Sequence, residues 1–243
     1  MLISHRKSFI FTKTVKTAGT SVESYYEKYC MPEGEWKESH SREEYISETG
    51  IIGYRGQSTS EKKWYNHMSA KMIRDQIGQD IWDQYFKFTV VRSPYDKLIS
   101  GFYFHRKYNK QKYSKIQRLI AYARSILNVG GAIDRMQKNK EIELFRSWIK
   151  NGGEILDKNK YMIDGEVCVD YFIRFEYLHE DMKHVCEHLS IPFEPSRIPE
   201  FKKGVRKHII SIQDFYDEET RKIVMEKYAW EIEKFGYMLP ESN

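Results

Sequence analysis

The sequence predicts an α/β fold in which a central, mainly parallel sheet is flanked by helices. Two observations carry that expectation. First, β-prone runs at Ser8–Val15, Tyr85–Val91 and Val167–Arg174 recur along the chain, and each is followed by a helical pattern rather than a hairpin turn. Strands alternating with helices in this way pair in parallel and take helices on both faces. Second, the chain has 243 residues, enough for one large α/β domain, and shows no internal repeat or low-complexity segment. A single domain over 1–243 is expected.

Taken in order, the Ser8–Val15 run alternates apolar and polar residues and reads as a strand. Lys16-Thr17-Ala18-Gly19-Thr20-Ser21 follows as a small-residue turn, and Val22–Tyr29 reads as a helix capped by Thr20 or Ser21. Residues 31–66 are polar and rich in Glu, Ser and Gly, which predicts long loops contributing little core. A helical pattern covers Ala70–Ile81, and the Tyr85–Val91 strand comes next. It runs into Ser93-Pro94-Tyr95-Asp96, where Ser93 suits an N-cap, Pro94 the first helical position and Asp96 a capping-box acid, with the helix reaching about Lys107.

Residues 114–150 read as two or more helices, interrupted at Gly130-Gly131 and stopped at Gly152-Gly153. After the Val167–Arg174 strand, helices are predicted over about Glu180–Leu189 and over Asp217–Phe235, with a basic, glycine-containing loop at Phe201–His208 between them. Sheets of this kind bind ligands at the carboxyl ends of their strands, where Lys16 and Arg92 both fall.

Composition narrows the function. Lys and Arg number 40 against 35 Asp and Glu, a net charge of +5. That is well short of a nucleic-acid coat or a polybasic membrane anchor, and it suits a local anion site on a mixed surface. Three cysteines form no disulfide framework and no CxxC pair, which suits a reducing compartment. No apolar run reaches the ~20 residues of a membrane helix, and the stretch behind the N-terminal basic residues is too short for a signal-peptide core. A cytoplasmic protein without membrane or nucleic-acid partners is expected; its oligomeric state is not legible.

A strand, a small-residue loop and a helix make a cradle for phosphate-like oxyanions, because backbone N–H groups can approach and the helix N-terminus adds partial positive charge. The nucleotide-triphosphatase version, GxxxxGK[ST], places its lysine after the last glycine. Here Lys16 precedes Gly19 and no glycine opens the loop, so that reading fails on residue order. Lys16–Ser21 instead resembles the 5′-phosphosulfate loop of sulfotransferases that use 3′-phosphoadenosine 5′-phosphosulfate (PAPS).

Further along, Phe88–Tyr103, whose Arg92 lies 76 residues after Lys16, resembles the 3′-phosphate motif of the same family. The shared pattern is an apolar strand, an arginine (Arg92), a small residue, Pro, an aromatic, Asp, a basic residue, and a serine (Ser100) eight positions after the arginine. Val169–Met182 and the closing helix are similar to further family segments, whereas roughly 31–66 and 106–160 are unmatched. Relatives commonly carry proline where this chain has Val15, immediately before the lysine.

The resemblance implies a P-loop NTPase-like sulfotransferase fold and transfer of a sulfuryl group from PAPS to an acceptor hydroxyl, in preference to an amine, with release of adenosine 3′,5′-bisphosphate (PAP). Lys16 would stabilise or protonate the leaving oxygen. Thr17, Ala18, Gly19, Thr20 and Ser21 would hold the 5′-phosphate, and Arg92 with Ser100 the 3′-phosphate. No metal is required, since the transferred group arrives activated. Relatives often carry a histidine in an H-x-x-A segment before the second motif; His67-Met68-Ser69-Ala70 matches it, making His67 the candidate base, with helix capping as its plainer alternative.

Lys202 and Lys203, in the basic loop, are weaker candidates to close over the nucleotide, with a solvated charge run as the plainer alternative. A small soluble acceptor is expected, with a carbohydrate as the alternative. Rival functions are a nucleotide-dependent kinase and a non-catalytic nucleotide or polyanion binder. His184 and His188 have the spacing of a shared metal face, but no third ligand accompanies them and a solvated helix face accounts for both. Arg106–Lys115 interleaves basic and aromatic residues, which reads as an exposed helix end or a wall for an anionic acceptor before it reads as a nucleic-acid surface.

Overall fold

A computed structural model describes residues 1–56, 61–110, 130–199 and 210–240. The chain divides into two compact units, one formed by Met1–Arg92 with Leu156–Lys203, the other by Ser93–Ile155 with Gly204–Asn243.

The first unit carries the sheet. Its strands are β1 (Leu2–Ser4), β2 (Phe9–Thr12), β3 (Tyr45–Ser47), β4 (Gly50–Ile52), β5 (Phe86–Val91) and β8 (Tyr171–Arg174), in the spatial order β3-β4-β1-β2-β5-β8. β2, β5 and β8 run parallel, with Thr12 opposite Thr89 and Val91 opposite Arg174. β1 and the β3–β4 hairpin extend the sheet antiparallel, so it is parallel at its centre and mixed at one edge. Helices cover both faces, as the strand alternation requires. Phe9, Phe11, Phe88 and Val90 pack against Val22, Tyr25 and Tyr26 of α1 (Gly19–Glu27). Ile3 and Ile10 face the other way, toward Ala70 and Ile73 of α2 (Ala70–Ile77) and Trp82 of α3 (Gln79–Gln84).

The second unit is helical among its described residues. With α6 (Leu178–His188) belonging to the first unit, α4 (Pro94–Lys110), α5 (Gly130–Lys150), α7 (Glu218–Lys227) and α8 (Ala229–Phe235) enclose a core that includes Leu98, Ile99, Phe102, Phe145, Phe215 and Val224. α4 starts at Pro94, with the Lys97 N–H donating to the Ser93 carbonyl at 2.9 Å, as its start signal predicts. Asp217 and Thr220 form a reciprocal capping box at the start of α7.

Several expectations need correction. Residues 31–66 hold more than loops: β3 and β4 lie there, and Ile51, Ile52, Trp64 and Arg55 are buried. The polar composition misleads because Arg55, 5% exposed, is neutralised inside the unit by Glu23 and Glu27 at 2.6 and 3.1 Å. The Val167–Arg174 run is two pieces, since Glu166–Val167 (β7) pairs with Met162–Ile163 (β6) in a separate hairpin. The 70–81 helix breaks at Gly78, whose φ of 92° suits glycine, and the closing helix breaks at Tyr228. α5 begins at Gly130 and passes through Gly131 unbroken; the preceding part of the 114–150 prediction lies outside the described residues.

Candidate active site

The site is built on one loop. β2 ends at Thr12, α1 begins at Gly19, and contacts hold most of the six residues between them. Lys13 is 2% exposed, and its ammonium donates to Glu23 Oε2 at 2.7 Å. The Glu23 carboxylate, wholly buried, also takes Arg55 at 2.6 Å and the Met1 amino group at 2.5 Å. Burial pushes its carboxyl pKa up, but Lys13, the terminal amine and Arg55 outweigh that and hold it well below the carboxylate range. A rigid ionic plug therefore lies directly beside the loop.

The Thr14 hydroxyl donates to the Val90 carbonyl of β5, so at its 2.7 Å contact with Thr17 the Thr17 hydroxyl is the donor. The Val15 N–H donates to Asp157 Oδ2 at 3.0 Å. Arg92, at the end of β5, donates from Nη1 to the Lys16 carbonyl at 2.9 Å, while its guanidinium lies 4.1 Å from the centre of the Phe175 ring. Phe175 follows Arg174, the last residue of β8, which is clasped by Asp181 through two side-chain bonds of 2.9 and 2.7 Å.

Lys16 and Ala18 adopt left-handed φ values of 63° and 59°, unusual for residues with a Cβ. Ala18 is the N-cap of α1 and provides no side-chain cap, so the helix starts earlier than predicted. Thr20 and Ser21 are first-turn residues instead of caps. The N–H groups of that turn lack the side-chain acceptor that most helices supply, and a left-handed residue leading into a helix makes a concave array of N–H donors. Gly19 has a packing reason as well: a Cβ there would sit 3.0 Å from Lys13 Cγ and 3.4 Å from the Thr14 carbonyl.

His67 is half-buried, with φ 62°, and its Nδ1 lies 3.0 Å from the Lys13 carbonyl. A carbonyl only accepts, so Nδ1 carries the proton and Nε2 holds the lone pair. Burial first, and then the Lys13 charge, lower the imidazole pKa to about 4, which keeps it neutral at pH 7. The helix-cap alternative is corrected: Ser69 is the N-cap of α2, accepting from the Met72 N–H at 3.2 Å.

Lys16–Ser21, His67 and Arg92 thus meet at the carboxyl ends of β2 and β5. The Thr17 side chain, 1% exposed, is spent inside the loop, leaving its backbone as the part available to a ligand. Ser100 is half-buried on α4. Lys202 and Lys203 lie outside the described residues. Sequence reasoning missed Lys13, Glu23, Asp157 and Phe175. The Lys13–Glu23 pair has a faint signal, opposite charges flanking the small-residue loop, whereas nothing local marks Asp157 or Phe175. His184 and His188 stack on Tyr171 and Phe86, with ring centres 4.7 and 3.9 Å apart, and no candidate metal group of three or more His, Cys, Asp or Glu occurs among the described residues. Also among them, no helix is long and apolar enough to cross a membrane.

A parallel β2–β5 core and a strand–loop–helix with an uncapped first turn define a P-loop-like α/β protein. The model of the sulfotransferase family matches residues 1–238, so the chain belongs to that family, and its activity class is sulfuryl transfer. No curated protein and no solved structure matches it significantly.

Proposed function

We propose that the protein uses PAPS as donor and transfers its sulfuryl group to a hydroxyl, in preference to an amine, of a small soluble acceptor in the cytoplasm, releasing PAP. The observation that carries this reading is the convergence on one loop of residues 54 and 76 positions away: His67 on the Lys13 carbonyl and Arg92 on the Lys16 carbonyl. Three of the six non-glycine residues with positive φ among the described residues are Lys16, Ala18 and His67, and such strain persists where surrounding structure enforces it. The family match runs through both units, which supports one sulfotransferase domain over 1–243.

The donor residues suit a doubly charged nucleotide. The N–H groups of Ala18, Gly19 and Thr20, with the Thr20 and Ser21 hydroxyls, hold the 5′-phosphate, and Thr17 contributes backbone. The Arg92 fork takes the 3′-phosphate; Ser100 is assigned to it by the motif alone, as Lys202 and Lys203 are to the nucleotide by charge alone. PAPS supplies an activated sulfuryl group and needs no metal to do so.

His67 Nε2 accepts the acceptor hydroxyl proton as the new O–S bond forms. Lys16 meets the charge that grows on the bridging oxygen as the old S–O bond breaks, or returns a proton to it. Both work by position and charge, as in phosphoryl transfer. The test is incubation with PAPS and an extract of the source. Accurate mass should reveal a product heavier by one SO₃, distinguished from the nearly equal HPO₃, together with PAP. Absence of both product and PAP binding overturns the reading.

A further inference from the structure

We propose that Asp157 is the positioning residue that fixes the entry of the Lys16 loop by accepting the Val15 N–H. This rests on the donor-binding reading above. Asp157 is 1% exposed, and its Oδ2 lies 3.0 Å from the Val15 nitrogen, 142 residues away in the chain. It belongs to the segment that re-enters the first unit at Leu156, inside the stretch that neither motif covers.

The contact falls where the loop most needs one. Sheet pairing of β2 ends at Thr12, so Val15 has no ladder partner for its N–H. The next residue, Lys16, is held at φ 63°, which a residue with a Cβ keeps only under constraint. Arg92 grips the far side of that residue through its carbonyl. Asp157 before and Arg92 after therefore clamp the Lys16 backbone from both ends. The Asp157 oxygen satisfies a backbone N–H that the sheet leaves without a ladder partner, and burial keeps water from competing for it. Release of the Val15 N–H would let Lys16 relax toward negative φ and displace the Ala18 and Gly19 N–H groups that follow it.

The experiment compares full-length wild type, Asp157→Asn, Asp157→Ala and Asp157→Leu by two readouts. The first, amide hydrogen exchange over residues 13–19 without nucleotide, depends on the clamp alone. The second, PAP affinity by calorimetry, depends also on the donor reading. Asn keeps a carbonyl oxygen for the N–H, so Asp157→Asn should stay near wild type in both. Asp157→Ala should speed exchange in that segment and weaken PAP about tenfold, the equivalent of about one hydrogen bond. Exchange in β5 and β8 should not change.

If the alanine variant does not fold, Asp157→Leu removes the same acceptor while keeping the side-chain volume and should show the same two effects. Wild-type exchange in Asp157→Ala or, failing that variant, in Asp157→Leu overturns the proposal. So does Asp157→Asn behaving as badly as alanine, because charge and not the acceptor oxygen would then be what matters. Failure of the wild type to bind PAP sinks the donor reading alone, since the exchange comparison still decides the role of Asp157.

Discussion

Replacing His67 by glutamine is the sharpest test of the site. The imidazole titrates at about 4 in the folded chain against 6.5 for an ordinary histidine, because it is buried beside the Lys13 ammonium. At 1.36 kcal/mol per unit, that difference is worth about 3 kcal/mol between the two protonation states. The sign follows from which state binds the proton. Between pH 6.5 and 4 the unfolded chain takes up a proton at this position and the folded chain does not, so His67 destabilises the fold progressively as pH falls through that window.

Urea unfolding at several pH values should show wild type losing up to about 3 kcal/mol more than His67→Gln between pH 6.5 and 4. Turnover gives the second measurement. The variant should lose about 10²- to 10⁴-fold in kcat, the usual worth of a general base, while PAP binding is unchanged. The acid limb of kcat/KM in the wild type should fall near pH 4, not 6.5. Full turnover in His67→Gln refutes the base assignment, and an acid limb near 6.5 refutes the burial argument.

Three further outcomes are expected. Lys16→Met should lower kcat by about 10²- to 10³-fold with an unchanged circular dichroism spectrum, because the contact Lys16 makes to Arg92 uses its carbonyl. Arg92→Lys keeps the charge but loses the fork, the Lys16 carbonyl bond and the stacking on Phe175, so PAP affinity measured by calorimetry should drop about tenfold. Glu23→Gln leaves Lys13 and Arg55 buried without their shared counter-charge and should cost about 3–5 kcal/mol in denaturant unfolding. Because the folded Glu23 carboxyl is held below its unfolded value, its stabilisation is present above pH 4.5 and is lost on further acidification, a dependence the glutamine variant should lack.

Much of the fold was legible from local pattern. The alternation in β2, the apolar β5 run and the Pro94 start signal are written in consecutive residues, where backbone geometry and side-chain direction act. The same holds for Lys16–Ser21 and Arg92, whose residue types sit at strand ends by spacing alone. Misreadings arose where a distant partner changed the meaning of a residue. The Glu, Ser and Gly content of 31–66 pointed to long loops with little core, yet Arg42 and Arg55 within it pair with buried Glu27, Arg55 also with Glu23, and the stretch packs. Thr20 and Ser21 looked like caps, but the left-handed Ala18 moved the helix start ahead of them.

The sequence by itself determined the α/β class and marked out the Lys16–Ser21 loop, Arg92 and the candidate histidine, because each depends on residues close together in the chain. Only the tertiary structure decided which His67 nitrogen carries the proton, what neutralises Lys13, and that Asp157 and Arg92 grip the Lys16 loop from either side. Those are bonds to single backbone or carboxylate atoms between residues 10 to 142 positions apart. No local pattern encodes such partners, since burial and hydrogen-bond direction exist only once the chain has closed on itself.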